Sequence, residues 1–332
     1  MRLTASVIIP TYNRPQEIRD CLMSLLRQTV KPDEIVVVDD GNLPEPPLKA
    51  EIERAGLSYT YVKNDKSGRV DPLNVGVSCA GGDIVYFLDD DVELYPDYLE
   101  RIRAHYTADP EGQLAGVGGV IANARPMTVA RTVRWVANTL VLNSGFREGA
   151  ILPSGFCVDY GYTPFPPVKP RDVQFLSGGA SSYRRHLLAE RPLVDGYRAI
   201  AYGEDKLFSG GLARRHRLVL EPGAKLIHHE SPAMRADNRA RGRKTVLGKY
   251  LLFRGVAKRH GWHWLCFAYA LTGYLLIRTA IAVARCRRAD GHHVLGALDA
   301  AWLIVRGRVT LTISGPSING TSGNRVALSP TA

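Results

Sequence analysis

The sequence predicts an α/β protein in which a mostly parallel, Rossmann-like sheet is flanked by helices. Two observations lead to this prediction. Short apolar runs typical of buried strands alternate with stretches of helical spacing, and residues 6–38 already contain a strand, a helix and a second strand. Such a βαβ unit implies parallel neighbouring strands, because the helix returns the chain to the edge where the first strand began.

The first βαβ unit ends in carboxylates. Ser6–Ile9 is an apolar strand, Glu17–Thr29 carries apolar residues at helical spacing, and Glu34–Val38 is the second strand. Asp39 and Asp40 follow that strand directly. We expect them at the carboxyl edge of the sheet, where open α/β sheets bind ligands.

The same pattern then repeats. Leu48–Ala55 is helical, Leu57–Val62 is strand-like, and Pro72–Ala80 is a helix with proline near its first turn. The apolar strand Ile84–Leu88 comes next and runs into three aspartates at 89–91. Two buried strands thus end in carboxylates at one predicted edge.

The triplet Asp89, Asp90 and Asp91 has two interpretations. Adjacent carboxylates repel one another unless a cation or a hydrogen-bond network compensates, so the triplet suggests a divalent metal site. The alternative is an acidic turn that caps the helix beginning near Pro96. The triplet alone favours neither.

The middle of the chain is less regular. Pro96–His105 is a predicted helix, Leu114–Ala122 is a predicted strand, and residues 123–170 have no regular pattern. A short strand, Val173–Leu176, then opens into the small residues of Ser177–Ser182.

Small residues in that loop allow a backbone to approach a ligand closely. We assign Gly178 and Gly179 to ligand binding, with an ordinary turn before the next helix as the alternative. A helix follows Gly203, and its first residues are Glu204 and Asp205, which usually serve to complement the helix dipole.

The last part of the predicted sheet leads to histidines. Leu218–Leu220 and Lys225–Ile227 are short strands, and the second runs into His228 and His229. Adjacent residues of an extended segment point to opposite sides, so only one of the two imidazoles can face a given site.

The C-terminal third changes in composition. Residues 235–259 carry nine basic side chains against one acidic one, and Trp262–Ala284 is mostly apolar but contains Arg278. Its uninterrupted apolar run, Trp264–Ile277, is shorter than the ~20 residues that a spanning helix needs. We therefore predict an interfacial or re-entrant segment, ahead of a packed helix pair and of a true span.

The predicted domains follow from these changes. A first domain covers 1–233, with two halves at 1–122 and 123–233. A helical, membrane-associating extension covers 234–312, and a disordered tail covers 313–332.

Composition limits the partners and the compartment. The net charge of +11 favours anionic partners. The basic stretch lacks interleaved aromatics and no nucleic-acid-binding module is recognised, so nucleic acid is not the expected partner. Five scattered cysteines without a CxxC pair indicate a reducing compartment, and Met1–Thr4 leads directly into a strand. A cytoplasmic protein, peripheral on the inner face of the cell membrane, is expected.

Six motifs occur in one order: SVIIPTYNRP, VVVDDG, GGDIVYFLDDDVE, SGGASSYRR, GED and PGAKLIHHES. In this order and spacing the chain resembles the family 2 glycosyltransferases, inverting enzymes of the GT-A fold, over roughly residues 5–231. The resemblance implies a GT-A sheet and a hexosyl- or deoxyhexosyltransferase that uses a nucleotide-diphosphate sugar.

The resemblance also implies a nucleotide site. Asp40 would read the base, with Asp39 beside it, and Asp89 would contact the ribose or a metal-bound water. The remaining residues that it assigns to the nucleotide are Pro10, Thr11, Tyr12, Arg69, Asn74 and Asp90. The ring of Tyr12 suits stacking on a base, with a half-exposed loop aromatic as the alternative. Asp90 is the member of the triplet that is expected to be structural.

The implied metal is Mn²⁺ or Mg²⁺. The resemblance gives Asp91 direct coordination, Asp89 a place in the same site and His228 the third ligand, with His229 as the alternative. Hard oxygen ligands suit both ions, and the metal would neutralise charge on the departing diphosphate.

The implied general base is Asp205, which would take the proton from the acceptor hydroxyl as it attacks the anomeric carbon. Glu204 would assist in catalysis or bind the acceptor together with Gly178 and Gly179. The resemblance thus makes 1–233 a catalytic domain, with a nucleotide-sugar-binding half at 1–122 and an acceptor and catalytic half at 123–233. The acceptor is expected to be a lipid-linked saccharide or a polysaccharide at the membrane surface. A nucleotidyltransferase is the alternative enzyme, although no glycine-rich basic loop follows the first strand, and a nucleic-acid-binding protein is the alternative from another class.

Overall fold

The computed structural model describes residues 2–64, 72–190, 197–229, 237–257, 260–312 and 325–328. Its helices lie between and after the strands of one large sheet. They are α1 (Pro15–Leu26), α2 (Lys49–Arg54), α3 (Pro72–Cys79), α4 (Tyr98–Thr107), α5 (Val129–Leu140), α6 (Arg185–Glu190), α7 (Tyr197–Ile200), α8 (Glu204–Leu212), α9 (Asn238–Gly255), α10 (Gly261–Arg285) and α11 (Arg288–Val305).

Nine strands form the large sheet, and two more form a separate hairpin-like pair. The strands are β1 (Ala5–Thr11), β2 (Glu34–Asp39), β3 (Ser58–Lys63), β4 (Ile84–Leu88), β5 (Val92–Leu94), β6 (Leu114–Ile121), β7 (Arg171–Val173), β8 (Ala180–Arg184), β9 (Arg217–His228), β10 (Val309–Thr312) and β11 (Arg325–Leu328).

The large sheet has the order β3-β2-β1-β4-β8-β6-β9-β5, and β7 also pairs with β9. The strands β3, β2, β1 and β4 are parallel, with Thr11 opposite Asp39 in the β1–β2 register. The predicted α/β class is therefore confirmed, and the residues after β1, β2 and β4 meet at one edge. The other half of the sheet is mixed, because β8 runs antiparallel to both β4 and β6.

One strand was predicted as a loop. The run that contains Ser181 and Ser182 was expected to turn before a helix, but it forms β8 at the centre of the sheet. Both serines are buried, and the Ser182 hydroxyl donates to the Val117 carbonyl and lies 2.9 Å from the Tyr106 hydroxyl. Because these hydrogen bonds satisfy the buried hydroxyls, a strand without an apolar run is stable in the interior.

The strand β9 is longer than predicted. The two expected strands join through Pro222 and Gly223 into one strand, and its register with β6 shifts between Gly118 and Val120. A bulge of this kind bends a strand without ending its pairing. The bend lets β9 pair with β6 and β5 and carry His228 to the edge near the triplet.

Two compact units make up the chain. The first comprises Met1–Ala124, Pro167–Leu193 and Arg215–Ser231, and the second comprises Arg125–Pro166, Val194–Arg214 and Pro232–Ala332. The predicted functional boundary at 233 differs from this division, because segments on both sides of it pack together. α9 contacts α7 and α8, and α10 contacts α5.

The first unit contains the large sheet and its apolar core. Fully buried side chains of α1, α4 and the central strands form this core, among them Ile18, Leu22, Ile35, Tyr86 and Tyr98. The core fixes the backbone up to the carboxyl ends of β1, β2 and β4. The polar residues that follow these strands are therefore held on a rigid base.

The second unit is mainly helical. Residues 123–170 were predicted irregular, but Val129–Leu140 forms α5, which Thr128 caps by accepting from the Arg131 amide. The α9–α11 contact is close, because a methyl group at Gly242 or Gly296 would overlap backbone carbonyls of the other helix. Within the tail predicted to be disordered, Arg325–Leu328 is a strand paired with β10, and 313–324 and 329–332 lie outside the described residues.

The predicted interfacial segment is one continuous helix. α10 has 25 residues, and within the described residues it alone is long and apolar enough to cross a membrane by length and composition. Only 17% of its most apolar window is buried, although one side packs on α5 and α11. One side of α10 thus packs on neighbouring helices, as the packed-helix alternative predicted, and part of its apolar surface is exposed.

Candidate active site

The turn after β1 packs against the segment after β2. The Asp40 amide donates to the Thr11 carbonyl at 3.0 Å, and the Asn42 amide donates to Asn13 Oδ1 at 2.7 Å. Gly41 is required in this contact, because a methyl group there would overlap Asn13. Asn13 itself adopts a φ of 53°, in the left-handed region that asparagine tolerates.

The two aspartates after β2 have different surroundings. Asp39 is fully buried; its carboxylate accepts from the Gly41 amide at 2.7 Å and from the Tyr61 hydroxyl at 2.7 Å. Burial raises the pKa of Asp39, but hydrogen bonds from Tyr61, Lys63 and two amides outweigh it and hold that pKa below its usual value. Asp39 thus fixes the segment, and the partly exposed Asp40, which accepts from Asn64 at 2.5 Å, lies at the edge.

The aspartate triplet is divided by the fold. Asp90 is buried and accepts from the Thr11 hydroxyl and from Arg14 Nη1, both at 2.8 Å. Burial raises the pKa of Asp90, against these two hydrogen bonds, which lower it. Asp90 and Thr11 therefore tie β1 to β4, and the same arginine lies 3.4 Å from Asp91 Oδ2.

Three side chains from two strand ends form a group that could hold a metal ion. Asp89, Asp91 and His228 each offer a ligand atom within 4.8 Å of the others. His228 Nε2 lies 3.0 Å from Asp91 Oδ1. Two carboxylates and an imidazole fit a divalent cation by charge and by donor type.

Two neighbouring residues explain why these three side chains form the group. His229 lies on the other side of the strand, with Nε2 3.6 Å from Glu93 Oε2, so His228 is the histidine placed beside Asp91. Gly179 leaves the space that the Asp89 carboxylate occupies, because a methyl group there would overlap it. Gly179, predicted for the acceptor, thus lies directly against a candidate metal ligand.

The other predicted nucleotide residues surround the same edge or lie elsewhere. Pro10 is half-buried, and the Tyr12 ring is 39% exposed, so a flat ligand can reach it. Asn74 is on α3, which packs on β1 through Gly76 and Ile8. The prediction for Arg69 lies outside the described residues.

Glu204 and Asp205 occupy the first turn of α8 in the second unit, after Gly203, whose φ of 93° needs glycine. The next residue, Lys206, pairs with Asp159 at 2.5 Å. Burial lowers the pKa of Lys206, but Asp159, Cys157 and Asp205 raise it above its usual value, so the ammonium stays charged. This cation stabilises the carboxylates at the start of α8.

Sequence analysis did not single out Arg14, Lys206 or Asp159 as functional. Arg14 lies within the first motif, SVIIPTYNRP, and could have been inferred, since three carboxylates need a nearby cation. The Lys206–Asp159 pair joins residues 47 positions apart, and nothing in the local sequence of either indicates the other.

A family model and several known proteins match this chain. A family model described as Glycosyl transferase family 2 matches residues 6–191. The uncharacterized glycosyltransferase YwdF of Bacillus subtilis is 34% identical over 105 residues, which are 31% of this chain and 39% of that protein. The glucosyl-dolichyl phosphate glucuronosyltransferase of Haloferax volcanii is 28% identical over 144 residues, 39% of this chain and 41% of that protein. The matches thus span less than half of either relative.

Two solved structures share the fold over most of their length. The mannosyltransferase PcManGT from Pyrobaculum calidifontis, in complex with GDP-Man and Mn²⁺, has a TM-score of 0.52 at 17% identity. The match covers 91% of this chain and 88% of the mannosyltransferase chain. S. aureus TarS 1–349 in complex with UDP-GlcNAc has a TM-score of 0.52 at 16% identity, covering 94% and 95%. With the family model matching more than half of its residues, this chain belongs to glycosyltransferase family 2.

Proposed function

We propose that this glycosyltransferase is inverting and metal-dependent and moves a sugar from a nucleotide-diphosphate sugar, UDP-sugars being favoured, to a lipid-linked or polysaccharide acceptor in cell-surface glycan biosynthesis. One observation supports the donor part. Asp89, Asp91 and His228 form one group, Asp91 is contacted by Arg14 of the turn after β1, and Asp40 bonds the same turn, at the edge where α/β sheets bind nucleotides. The mannosyltransferase neighbour carries GDP-Man and Mn²⁺, and the TarS neighbour carries UDP-GlcNAc.

In this proposal Asp89, Asp91 and His228 would hold the cation. The bound metal supplies a Lewis acid for the diphosphate leaving group. An imidazole ligand favours Mn²⁺, since Mg²⁺ is held mainly by oxygen donors. Arg14 holds Asp90 and Asp91 in place, so the ligand side chains lose little freedom when the site fills.

The residues that we propose to bind the acceptor and accept its proton lie in the second unit. We assign Asp205 as the carboxylate that takes this proton, and Glu204 as a neighbour that binds the acceptor hydroxyl. Lys206 and Asp159 act as positioning residues: their pair anchors the first turn of α8 to the segment between α5 and β7. No catalytic acid is needed, because a metal-neutralised diphosphate leaves without a proton.

The acceptor and the compartment are proposed on the character of α9 and α10. α9 carries the exposed basic side chains Arg239, Arg241 and Arg243, and α10 exposes part of its apolar surface, including Leu265 and Leu276. A basic and apolar surface binds anionic membranes, where lipid-linked acceptors reside. The proposed location is the inner face of the cell membrane.

The catalytic proposal is tested by Asp205→Asn, with Glu204→Gln as the matched neighbour. We expect Asp205→Asn to lower sugar transfer by at least ~10²-fold, because a general base contributes 10²–10⁴-fold. UDP binding with Mn²⁺, followed by thermal shift, should stay within about twofold of the unchanged protein, and Glu204→Gln should lose less activity. Near-normal turnover of Asp205→Asn would contradict the assignment.

A further inference from the structure

The helix α5 presents its apolar side to solvent. Val129, Val133, Val136 and Leu140 are spaced so that all four lie within an arc of about 60° around the helix. Their side chains are 83%, 64%, 44% and 70% exposed, and none of the residues of α5 is buried. An amphipathic helix of a water-soluble surface normally buries this arc.

The polar side of α5 is the side that contacts the protein. Arg131 donates to the Gly161 carbonyl at 2.9 Å, and Trp135 Nε1 donates to the Gly145 carbonyl at 3.0 Å. Arg131 also donates to the carbonyls of Arg125 and Pro126. Together these four hydrogen bonds fix the rotation of the helix about its axis. The outward apolar arc is therefore held in place by the fold of the second unit.

The apolar arc continues onto α10. The Tyr269 hydroxyl donates to the Leu140 carbonyl at 3.1 Å, and Gly273 packs directly on the side chain of Val141. The outer side of α10 is apolar as well, with Leu265, Leu276 and Val283 exposed at 74%, 65% and 70%. We call Val129, Val133, Val136, Leu140, Leu265, Tyr269, Leu276 and Val283 the α5–α10 face.

Positive charge accompanies the α5–α10 face. Residues 125–147 contain four arginines and no aspartate or glutamate. Arg285, Arg287 and Arg288 are exposed at and after the end of α10. A second copy of the chain would bring like charges together, whereas an anionic lipid surface is complementary to them.

We propose that the α5–α10 face docks on an anionic lipid bilayer, with α5 as an insertion element beside α10. Exposed branched aliphatic side chains gain free energy by entering the acyl boundary, and arginines at the rim contact lipid headgroups. This proposal rests on the proposed function only in naming the membrane on which the acceptor would be met. The docking itself needs neither nucleotide sugar nor acceptor.

Two opposite double variants of the full chain test it. Val133→Asp/Val136→Asp and Val133→Lys/Val136→Lys remove the same apolar surface but change the net charge in opposite directions. Val168→Asp, an 86% exposed valine of the first unit, is the control. Binding is measured by co-sedimentation with vesicles of phosphatidylglycerol and phosphatidylcholine, and with phosphatidylcholine alone.

We expect the unchanged chain and Val168→Asp to bind the anionic vesicles alike, and both double variants to bind at least ~10-fold more weakly. If the unchanged chain binds vesicles of phosphatidylcholine alone more weakly than the anionic vesicles, the arginines contribute to docking. Unchanged binding of either double variant would overturn insertion of α5. A dimer in the unchanged chain that both double variants dissolve, without vesicle binding, would assign the face to a second copy.

A UDP–Mn²⁺ thermal shift on each variant, without lipid, separates the two proposals. An equal shift in all variants shows that they fold and that the donor site is independent of the face. Absence of the shift from every protein, with vesicle binding intact, would count against the proposed function and leave the docking proposal standing.

Discussion

At the scale of single residues, the chemistry of the site depends on contacts that no motif describes. Asp90 accepts hydrogen bonds from Thr11 and Arg14, whereas Asp89 and Asp91 group with His228. Gly179 immediately precedes β8, the strand beside β4, and its missing side chain makes room for Asp89. The motifs located the candidate ligands, whereas the different contacts of the three aspartates follow from the tertiary structure.

Gly179→Ala should weaken the metal site with little effect on folding. The added methyl group would overlap the Asp89 carboxylate and displace it from Asp91 and His228. We expect Mn²⁺ affinity, measured by calorimetric titration, to fall at least ~10-fold, in the range known for disturbed metal sites. Gly81→Ala is the control, because a methyl group there meets open space. Equal affinities of the two variants would show that Asp89 is not a ligand.

At the scale of elements, apolar runs predicted the strands that are buried on both faces, but they did not reveal β8 or α5. β1, β2, β4 and β6 are buried on both faces, and their sequences are continuous apolar runs. β8 escaped because buried serines replace apolar residues. α5 escaped although its residues repeat at helical spacing, since the surrounding prolines and aromatics suggested a loop.

The packing of α9 on α11 gives a prediction about glycine. A methyl group at Gly296 would overlap the Arg239 carbonyl, so Gly296→Ala must push the helices apart. We expect a loss of about 1–3 kcal/mol in the free energy of unfolding, the usual cost of overpacking. Gly291→Ala, on the same helix but facing open space, should instead stabilise by roughly 0.5–1 kcal/mol. Urea denaturation followed by circular dichroism measures both, and equal effects would contradict the close packing.

At the scale of the whole molecule, the candidate metal site and the apolar surface belong to different compact units. The candidate metal ligands and the sheet edge after β1, β2 and β4 lie in the first unit, and α5, α8 and α10 lie in the second. Sequence order does not show this division, because each unit is assembled from three separate segments. A boundary drawn at one residue number could therefore not describe it.

Hydrogen exchange should separate the two units. UDP with Mn²⁺ is expected to slow exchange in segments 10–14, 39–43 and 89–92, which surround the donor edge. Anionic vesicles should slow exchange in 129–141 and 262–283 instead. Mass spectrometry of peptides reads both, and protection of 129–141 by UDP and Mn²⁺ alone would contradict the separation.

The bulged strand β9 has a consequence for engineering this chain. β6 ends at Ile121 and β7 begins at Arg171, and both pair with β9, so both ends of the segment between them are anchored on one strand. That segment also holds Asp159, the partner of Lys206. A graft of this segment from a relative should therefore keep an acidic residue at position 159, whereas the exposed apolar side chains of α5 can be exchanged.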